Sequence, residues 1–406
     1  MNYTYQKPLS VTSQFSFCGL PFRMDTYSGC SFSCTYCFAR LRGGKSHSKK
    51  LRATESDHVI NKFKRALKDG KYSTSIISEY IRHKMPVHFG GMSDPFQPIE
   101  KQLKISYDIL KFLISINYPV VLSTRSDLAS SEPYFSLLKD AQNLVVQFSF
   151  STLKEKESLK IEPYTPGPAK LLKTIEKLSS AGVKTSIRWQ PFIPYFSETP
   201  NEFVAKIVSV GAAHLGFEHL KFPLEKRNRL RENLKNITNI DVYEEYLNQN
   251  GRVDGRELIL STTRKLHLAL TVKKIANQNG LTFGAADNEF QYLSDTNCCC
   301  SGVDQFKGFE NWNKFQISYA IKKSIGREIR FDSIGHEWQP QGAIDQHLNS
   351  KSRISSINGP KKVYDYVVDR WQNLDSPFNP TKYHGVIFNG KVDSSGFKVY
   401  EWNKKD

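Results

Sequence analysis

Apolar positions in the first half of the chain follow two periodicities. Leu171, Ile175 and Leu178 recur at steps of four and three between Pro168 and Gly182, which predicts an amphipathic helix that starts at a proline and ends at a glycine. Short apolar runs such as VVLST and LVVQFSF come between such stretches and are typical of strands covered on both faces. The chain therefore predicts alternating strands and helices.

Six strand-helix repeats are predicted between about Leu20 and Pro223. The predicted strands lie within FRMDTY, MPVHFGG, YPVVLSTRSD, NLVVQFSFST, VKTSIRWQPFIP and AAHLGFEHLKFP. The clearest helices are predicted at 57–68, 101–114, 134–140, 168–182 and 200–210. Because strands and helices that alternate at this spacing form parallel βαβ units, residues 1–223 are predicted to be one α/β domain.

Residues 224–406 have a weaker pattern. A long helix is predicted from Asp254 to Asn279, and Asn389 and Gly390 predict the turn of a β-hairpin. We expect this half to be a C-terminal α+β extension that caps the mouth of the first domain and contributes to substrate binding.

Polar residues and glycines follow the second to fifth predicted strands, where the C-terminal ends of parallel strands meet at one edge. They are Gly90, Gly91, Met92, Ser93 and Asp94, then Ser123 and Arg125, then Ser149 and Ser151, and finally Arg188 and Gln190. Glycines let the backbone approach a ligand closely, a guanidinium binds a carboxylate bidentately, and hydroxyls on one side of a strand suit a ribose. Each residue alone is an ordinary strand-end residue, but their recurrence predicts a cofactor site.

Three cysteines, Cys30, Cys34 and Cys37, lie within the stretch CSFSCTYCFAR. A disulfide needs two cysteines, and a structural zinc site usually needs four ligands. Three thiolates in one loop can hold three corners of an iron-sulfur cubane and leave the fourth iron open to a small molecule. A zinc loop completed by a remote ligand, or reduced cysteines without metal, remain the alternatives.

The other four of the seven cysteines are Cys18 and the triplet Cys298, Cys299 and Cys300. An odd and clustered set favours reduced, metal-binding cysteines in a cytosolic protein over a disulfide framework. The triplet, together with Cys18, could ligate an auxiliary cluster. Alternatively, one of its thiols relays a radical, or all are buried thiols without a role.

The formal net charge is +17. Basic residues are concentrated in three segments: Arg40, Arg42, Lys45, Lys49, Lys50 and Arg52; Lys221, Lys226, Arg227, Arg229 and Arg231; and Lys322, Lys323, Arg327 and Arg330. Such a surface suits a polyanion such as a nucleic acid, although it can also be a solvated face. The N-terminus has no apolar signal region and no apolar run is long enough to span a membrane, so we expect a cytoplasmic protein without membrane contact.

The CxxxCxxC spacing, with Tyr36 before the last cysteine, resembles the signature of the radical SAM superfamily. The resemblance implies that Cys30, Cys34 and Cys37 bind a [4Fe-4S] cluster and that Tyr36 lies at the cofactor. It implies that the open iron binds S-adenosylmethionine, and that the reduced cluster cleaves it to a 5′-deoxyadenosyl radical. It also implies a partial (β/α)6 barrel as the fold of the first domain.

Within the superfamily, residues 27–223 resemble the spore photoproduct lyase-like branch, in the series GCSFSCTYCFAR, SDPFQPIE, STRSDL, FSFSTL and IEPYTPGPAKLLKTIEKLSSAGV. The resemblance assigns the glycine-rich stretch at 90–94 to the methionine amino group, with its acidic residue displaced to Asp94. It assigns Arg125 to the carboxylate of S-adenosylmethionine. Glu162, before Pro163, is interpreted as a loop anchor.

One departure from the branch pattern concerns the reaction. True lyases have a hydrogen-donating cysteine just before the Ser-Asp of the second strand, where this chain has Gly91 and Met92. Repair of thymine dimers by that route is therefore not expected.

The leading hypothesis is a radical SAM enzyme that abstracts hydrogen from a nucleic acid or nucleotide and receives electrons from a donor such as flavodoxin or ferredoxin. A peptide or small metabolite is the alternative substrate. The alternative from another class is a zinc-dependent nucleic-acid-binding protein without radical chemistry.

Overall fold

The computed structural model describes residues 5–39, 51–68, 74–224, 227–350 and 361–403, without the side chain of Arg227. The strands are β1 (Leu9–Val11), β2 (Phe22–Met24), β3 (Val87–Phe89), β4 (Val120–Thr124), β5 (Leu144–Phe150), β6 (Lys184–Phe192), β7 (His214–His219), β8 (Phe222–Pro223), β9 (Arg252–Asp254), β10 (Glu257–Ile259), β11 (Thr282–Ala285), β12 (Val386–Val392) and β13 (Lys398–Trp402). Several predicted basic residues lie outside the described residues: Arg40, Arg42, Lys45, Lys49, Lys50 and Lys226.

The helices surround and connect these strands. They are α1 (Ser56–Lys68), α2 (Ile76–Arg82), α3 (Glu100–Leu103), α4 (Ile105–Ser115), α5 (Tyr134–Lys139), α6 (Glu155–Ile161), α7 (Pro168–Ser180), α8 (Pro200–Ser209), α9 (Arg227–Thr238), α10 (Val242–Asn248), α11 (Thr262–Gln278), α12 (Ile317–Lys323) and α13 (Val363–Gln372). No helix in the described parts of the chain is long and apolar enough to cross a membrane.

The main sheet has eight strands in the order β1-β2-β3-β4-β5-β6-β7-β11. Neighbours from β2 to β11 pair in parallel, and β1 pairs antiparallel with β2. Within the described residues, the edge strands β1 and β11 do not pair with each other, so the barrel is incomplete. The α/β fold class and the six predicted parallel strands, β2 to β7, are confirmed.

Local sequence signals explain where two of the helices begin. The helix α7 has Pro168 in its first turn, and α8 has Pro200 there, where a missing backbone N–H costs no hydrogen bond. Thr199 caps α8, and the side chain of Glu202 reaches back to the cap to form a capping box.

The helix predicted at 101–114 is two helices, α3 and α4, separated at Lys104, whose φ is +53°. The buried carboxylate of Glu100 explains the break, because it accepts hydrogen bonds from the backbone N–H groups of Ser106 (3.1 Å) and Tyr107 (2.8 Å) in the first turn of α4. This cap on α4 by the buried Glu100 thus outweighs the continuous helical periodicity.

Predictions for the second half were partly wrong. The predicted helix from Asp254 begins only at Thr262, because residues 252–259 form the hairpin of β9 and β10 around Gly255, which has a φ of +60°. The hairpin of β12 and β13 exists, but it turns at Asp393–Gly396 and not at Asn389 and Gly390.

The segment 282–285 adds β11 to the main sheet, in parallel register beside β7. The sheet therefore extends past the boundary predicted at Pro223. The division into a barrel domain and an extension stays a prediction about domain organisation.

Candidate functional site

A cavity of about 2130 Å³ lies at the C-terminal ends of β3 to β7. Most of the predicted site residues line it: Cys30, Cys34, Tyr36, Cys37, Gly90, Gly91, Met92, Ser93, Asp94, Ser123, Arg125, Ser149, Arg188, Gln190, Cys299 and Cys300. Cys298 and Ser151 do not line it. Residues predicted at the C-terminal ends of four strands, β3 to β6, thus line one cavity.

The loop with the three cysteines is fixed from two sides. Gln97 accepts a hydrogen bond from the backbone N–H of Ser31 (2.9 Å) and donates to the carbonyl of Gly29 (2.9 Å). On the other side, the backbone N–H and the hydroxyl of Thr35 both donate to the carbonyl of Ile161, at 2.9 Å and 3.1 Å. The loop is therefore held between the segment after β3 and the end of α6.

The three thiols of this loop are free of disulfide bonds and face the cavity. Burial raises the pKa of Cys30 to about 12, with a further contribution from the carboxylate of Asp94. Burial also raises the pKa of Cys34. Thiolates at these positions therefore need a bound cation, which is what a metal centre supplies.

A single metal ion and a cluster place different geometric demands on the three thiols. In the described parts of the chain, no group of three or more His, Cys, Asp or Glu side chains is arranged to hold a single metal ion. A tetrahedral zinc with Zn–S bonds of about 2.3 Å would need sulfur atoms about 3.8 Å apart. In an iron-sulfur cubane each thiolate binds its own iron, so the cysteines need only face a common space. The three thiols of the loop face one cavity and so meet the requirement of a cubane.

The buried carboxylate of Glu162 is the centre of a hydrogen-bond network beside the cysteine loop. It accepts hydrogen bonds from the hydroxyls of Tyr36, Ser151 (2.6 Å) and Ser158 (3.1 Å), and it forms an ion pair with Arg125 at 2.6 Å. Its interpretation as a loop anchor agrees with these contacts. Ser151, predicted to face the cofactor, is instead a fully buried donor to this carboxylate.

Arg125 lies between the network and the cavity. Its guanidinium also donates to the carbonyl of Gln190 (2.8 Å) and lies 5.6 Å from the centre of the Tyr36 ring. Burial alone would lower the pKa of Arg125, but Glu162, Tyr36 and Cys34 together raise it, so the group stays cationic. A carboxylate ligand at Arg125 would share the guanidinium with Glu162.

The segment 90–94 is held by two buried carboxylates. Asp25 accepts hydrogen bonds from the backbone N–H groups of Met92 (2.8 Å) and Ser93 (3.0 Å). Asp94 accepts from the backbone N–H groups of Arg125 (2.6 Å) and Phe96 (2.8 Å) and from the Thr124 hydroxyl (2.8 Å). Burial raises the pKa of both aspartates to about 6.

Gly90 is required by the backbone. Its φ is +93°, and a Cβ there would lie 2.5 Å from the carbonyl oxygen of Ser123. The glycine thus serves the packing of β3 against β4.

Cys18 and the triplet 298–300 come together around Cys299. The Cys299 thiol contacts the Cys298 thiol, with the sulfurs 3.7 Å apart, and hydrogen-bonds to the thiols of Cys18 and Cys300. A turn at 298–302 makes this convergence possible, which an extended backbone would prevent. Arg23 donates to the sulfur of Cys18 at 3.5 Å.

The sequence did not indicate one functional candidate on the cavity wall, His219, or its partner Asp287. His219 ends β7, and its Nδ1 lies 2.7 Å from a carboxylate oxygen of Asp287, just after β11. His219 ends a strand and could have been predicted in the same way as the other strand-end residues. Asp287 could not, because it follows β11, which the sequence did not predict to join this sheet.

Many of the basic residues named from the sequence are engaged within the protein. Ion pairs join Lys221 to Glu218, Arg231 to Asp241 and Glu244, and Arg330 to Glu328. Lys322 donates to the backbone carbonyls of Ser294 and Thr296. These four residues do not form an uncompensated basic patch.

The chain is similar to known proteins in sequence and in structure. No protein-family model matches the chain. A similar curated protein is the uncharacterized protein MJ0683 of Methanocaldococcus jannaschii, with 23% identity over 269 residues, 65% of this chain and 93% of that protein.

Among solved structures, spore photoproduct lyase complexed with dinucleoside spore photoproduct is similar over 68% of this chain and 79% of that chain, with 14% identity and a TM-score of 0.49. The Streptococcus suis protein SuiB bound to S-adenosylmethionine is similar over 55% of this chain and 44% of that chain, with 14% identity and a TM-score of 0.35.

The network around Glu162 generates a prediction for stability. Glu162→Gln should lower the free energy of unfolding by about 3 kcal/mol, because it leaves the buried Arg125 cation without its counter-ion. Urea unfolding monitored by circular dichroism measures this. The control Glu176→Gln, on the exposed face of α7, should change it by less than about 0.5 kcal/mol. Equal losses in the two variants would contradict the network's role.

Proposed function

We propose that this chain is a radical SAM enzyme of the spore photoproduct lyase-like branch. The observation that carries the proposal is the fixed loop of three free cysteines at the C-terminal edge of a parallel, incomplete barrel, facing one large cavity. The Glu162 network places an aromatic ring and a guanidinium beside this loop.

Cys30, Cys34 and Cys37 would hold a [4Fe-4S] cluster in this proposal. When bound, the cluster supplies the electron that cleaves S-adenosylmethionine to methionine and a 5′-deoxyadenosyl radical. The strand-end residues that line the cavity would bind S-adenosylmethionine: Tyr36, Gly90, Gly91, Met92, Ser93, Asp94, Ser123, Arg125, Ser149, Arg188 and Gln190.

Three groups of S-adenosylmethionine have proposed partners. Arg125 would orient the carboxylate, with Glu162 holding the guanidinium in place. The backbone carbonyls of the 90–94 segment would accept hydrogen bonds from the amino group. The N–H groups of Met92 and Ser93 are already bound to Asp25. Ser149, which faces the cavity, would meet the ribose in place of the buried Ser151.

We further propose that the substrate is a nucleic acid or nucleotide and that the enzyme acts in the cytoplasm, with flavodoxin or ferredoxin as electron donor. The net charge of +17 favours association with a polyanion. A base in a duplex would have to leave the stack to reach a cavity enclosed at the strand ends.

The radical-generating site is tested by product formation. Anaerobically reconstituted, dithionite-reduced protein should convert S-adenosylmethionine to 5′-deoxyadenosine, measured by liquid chromatography and mass spectrometry. Cys34→Ala should reduce the rate at least about 100-fold, whereas Ser31→Ala, an exposed position in the same loop, should retain it. Protein with a full iron complement and no product would refute the assignment.

The substrate class is tested by salt dependence. The affinity for single-stranded RNA or DNA should fall at least about tenfold between 50 and 200 mM salt, because phosphate contacts release counterions. Fluorescence anisotropy of labelled oligonucleotides measures it, and binding of an uncharged nucleoside is the control that salt should not change. Undetectable binding at 50 mM salt would exclude a nucleic acid polymer.

A second iron-sulfur cluster at Cys18, Cys298, Cys299 and Cys300 is part of this proposal. Four of the seven cysteines converge there, and three of them, Cys18, Cys299 and Cys300, line the same cavity as the first trio. Bound iron would replace the S–H contacts that now surround Cys299.

Iron content decides this point. The triple variant Cys30→Ala/Cys34→Ala/Cys37→Ala should retain about four irons per chain, as should the double variant Cys18→Ala/Cys299→Ala. Iron and sulfide assays with electron paramagnetic resonance of the reduced protein measure both. A triple variant without iron would show that the second set of cysteines holds no cluster.

A further inference from the structure

The wall of the cavity at the end of β7 contains a buried histidine, His219, that is paired with the carboxylate of Asp287. The Nδ1 of His219 lies 2.7 Å from the Oδ2 of Asp287, and the same oxygen accepts the backbone N–H of His219 at 3.2 Å. The side chains are only 1% and 3% exposed. Because two hydrogen bonds fix the ring and the oxygen together, Asp287 positions the imidazole.

The contact with Asp287 determines the tautomer of His219. A carboxylate acceptor at Nδ1 requires the proton there, so the neutral ring keeps its lone pair on Nε2. This Nε2 atom is buried and has no hydrogen-bond partner among the described residues. A buried acceptor without a donor is costly unless a ligand supplies one.

Asp287 stays ionised at neutral pH. Burial alone would raise the pKa of Asp287, but Lys265, whose ammonium lies 3.6 Å from its Oδ1, and His219 outweigh burial and lower it. Lys265 also pairs with Glu289. The carboxylate is therefore available to stabilise a protonated His219.

The charged groups around the pair come from several elements. They are Glu218 and Lys221 at the end of β7, Glu257 on β10, Lys265 on α11, and Asp287 and Glu289 after β11. Tyr246 of α10 also lies within electrostatic reach of Asp287. Among these described groups, four carboxylates face two ammonium groups, so this wall disfavours a phosphate or carboxylate of the substrate. A neutral group that donates a hydrogen bond fits it.

We propose that His219 is an acid-base catalytic residue that contacts a neutral O–H or N–H group of the substrate, and that Asp287 is its positioning residue. For a nucleotide substrate this group would be a base N–H or a sugar hydroxyl, with the phosphates elsewhere. The inference rests on the proposed function for the radical step and adds a proton-transfer step to it.

The proton transfer balances within the site. The O–H or N–H bond of the substrate breaks, its proton bonds to Nε2, and the electron pair stays on the substrate atom. The resulting imidazolium faces the carboxylate of Asp287. The ammonium of Lys221 lines the cavity but is already paired with Glu218, so it offsets the charge on the substrate only in part. Burial alone would lower the pKa of Lys221, but Glu218, Asp287 and Glu257 outweigh it and raise it, so this group is cationic.

The tautomer can be measured without any substrate. Long-range proton-nitrogen correlation spectra of the ¹⁵N-histidine-labelled holoprotein, with the cluster oxidised, should show that the neutral ring of His219 carries its proton on Nδ1 and not on Nε2. The His219 signal is identified by its loss in His219→Gln. Asp287→Asn should abolish the preference for the tautomer protonated at Nδ1, which identifies the same signal a second time. A protonated Nε2 at pH 8 would overturn the proposal, because the histidine would then be a fixed donor or cation.

The catalytic role is tested through the pH profile. We expect His219→Gln, whose amide is no base, to lower 5′-deoxyadenosine formation stimulated by single-stranded RNA or DNA about 100-fold and to remove its rising limb with pH. His267→Gln, an exposed histidine on α11, should match the wild type. A wild-type pH profile in His219→Gln would show that the pair has only a structural role. If the wild type forms no 5′-deoxyadenosine at all, the radical function fails, while the spectra still decide for or against the pair.

Discussion

The position of the cysteine loop depends on one buried carboxylate, that of Glu162. An ionised carboxylate is costly to bury unless hydrogen-bond donors surround it, and here the donors come from the loop itself, from the ends of β4 and β5 and from α6. Satisfying Glu162 therefore brings Tyr36 and Arg125 to one place. Because these contacts attach the loop to the parallel sheet, the loop is more rigid than a loop of this length would be by itself.

Other buried carboxylates also bind and fix segments along the strand ends. Asp25 and Asp94 bind backbone N–H groups of the segments after β3 and β4, and Glu100 caps α4. Each carboxylate accepts hydrogen bonds from backbone N–H groups that would otherwise have no partner in an irregular segment. The irregular segments that line the cavity are thereby fixed, so that the cavity is formed before any ligand binds.

The second half of the chain contributes more than the cap that its sequence suggests. It adds β11 to the sheet, brings Cys298 to Cys300 against Cys18, and places Asp287 beside His219. The interior of the cavity is thus built jointly from both halves. Cys18, Cys299, Cys300 and His219 occupy parts of its wall that the motifs of the first half do not reach.

The sequence by itself determined the features that depend on neighbours in the chain. Periodicity located the strands β2 to β7, and spacing identified the cysteine trio, because both are local properties. Only the tertiary structure decided the rest. It divided the helix at 101–114 through Glu100, turned Ser151 inward to Glu162, and joined Cys18 to Cys299 and His219 to Asp287. These contacts link residues or segments whose approach depends on packing and burial, which a linear pattern of residue types does not contain.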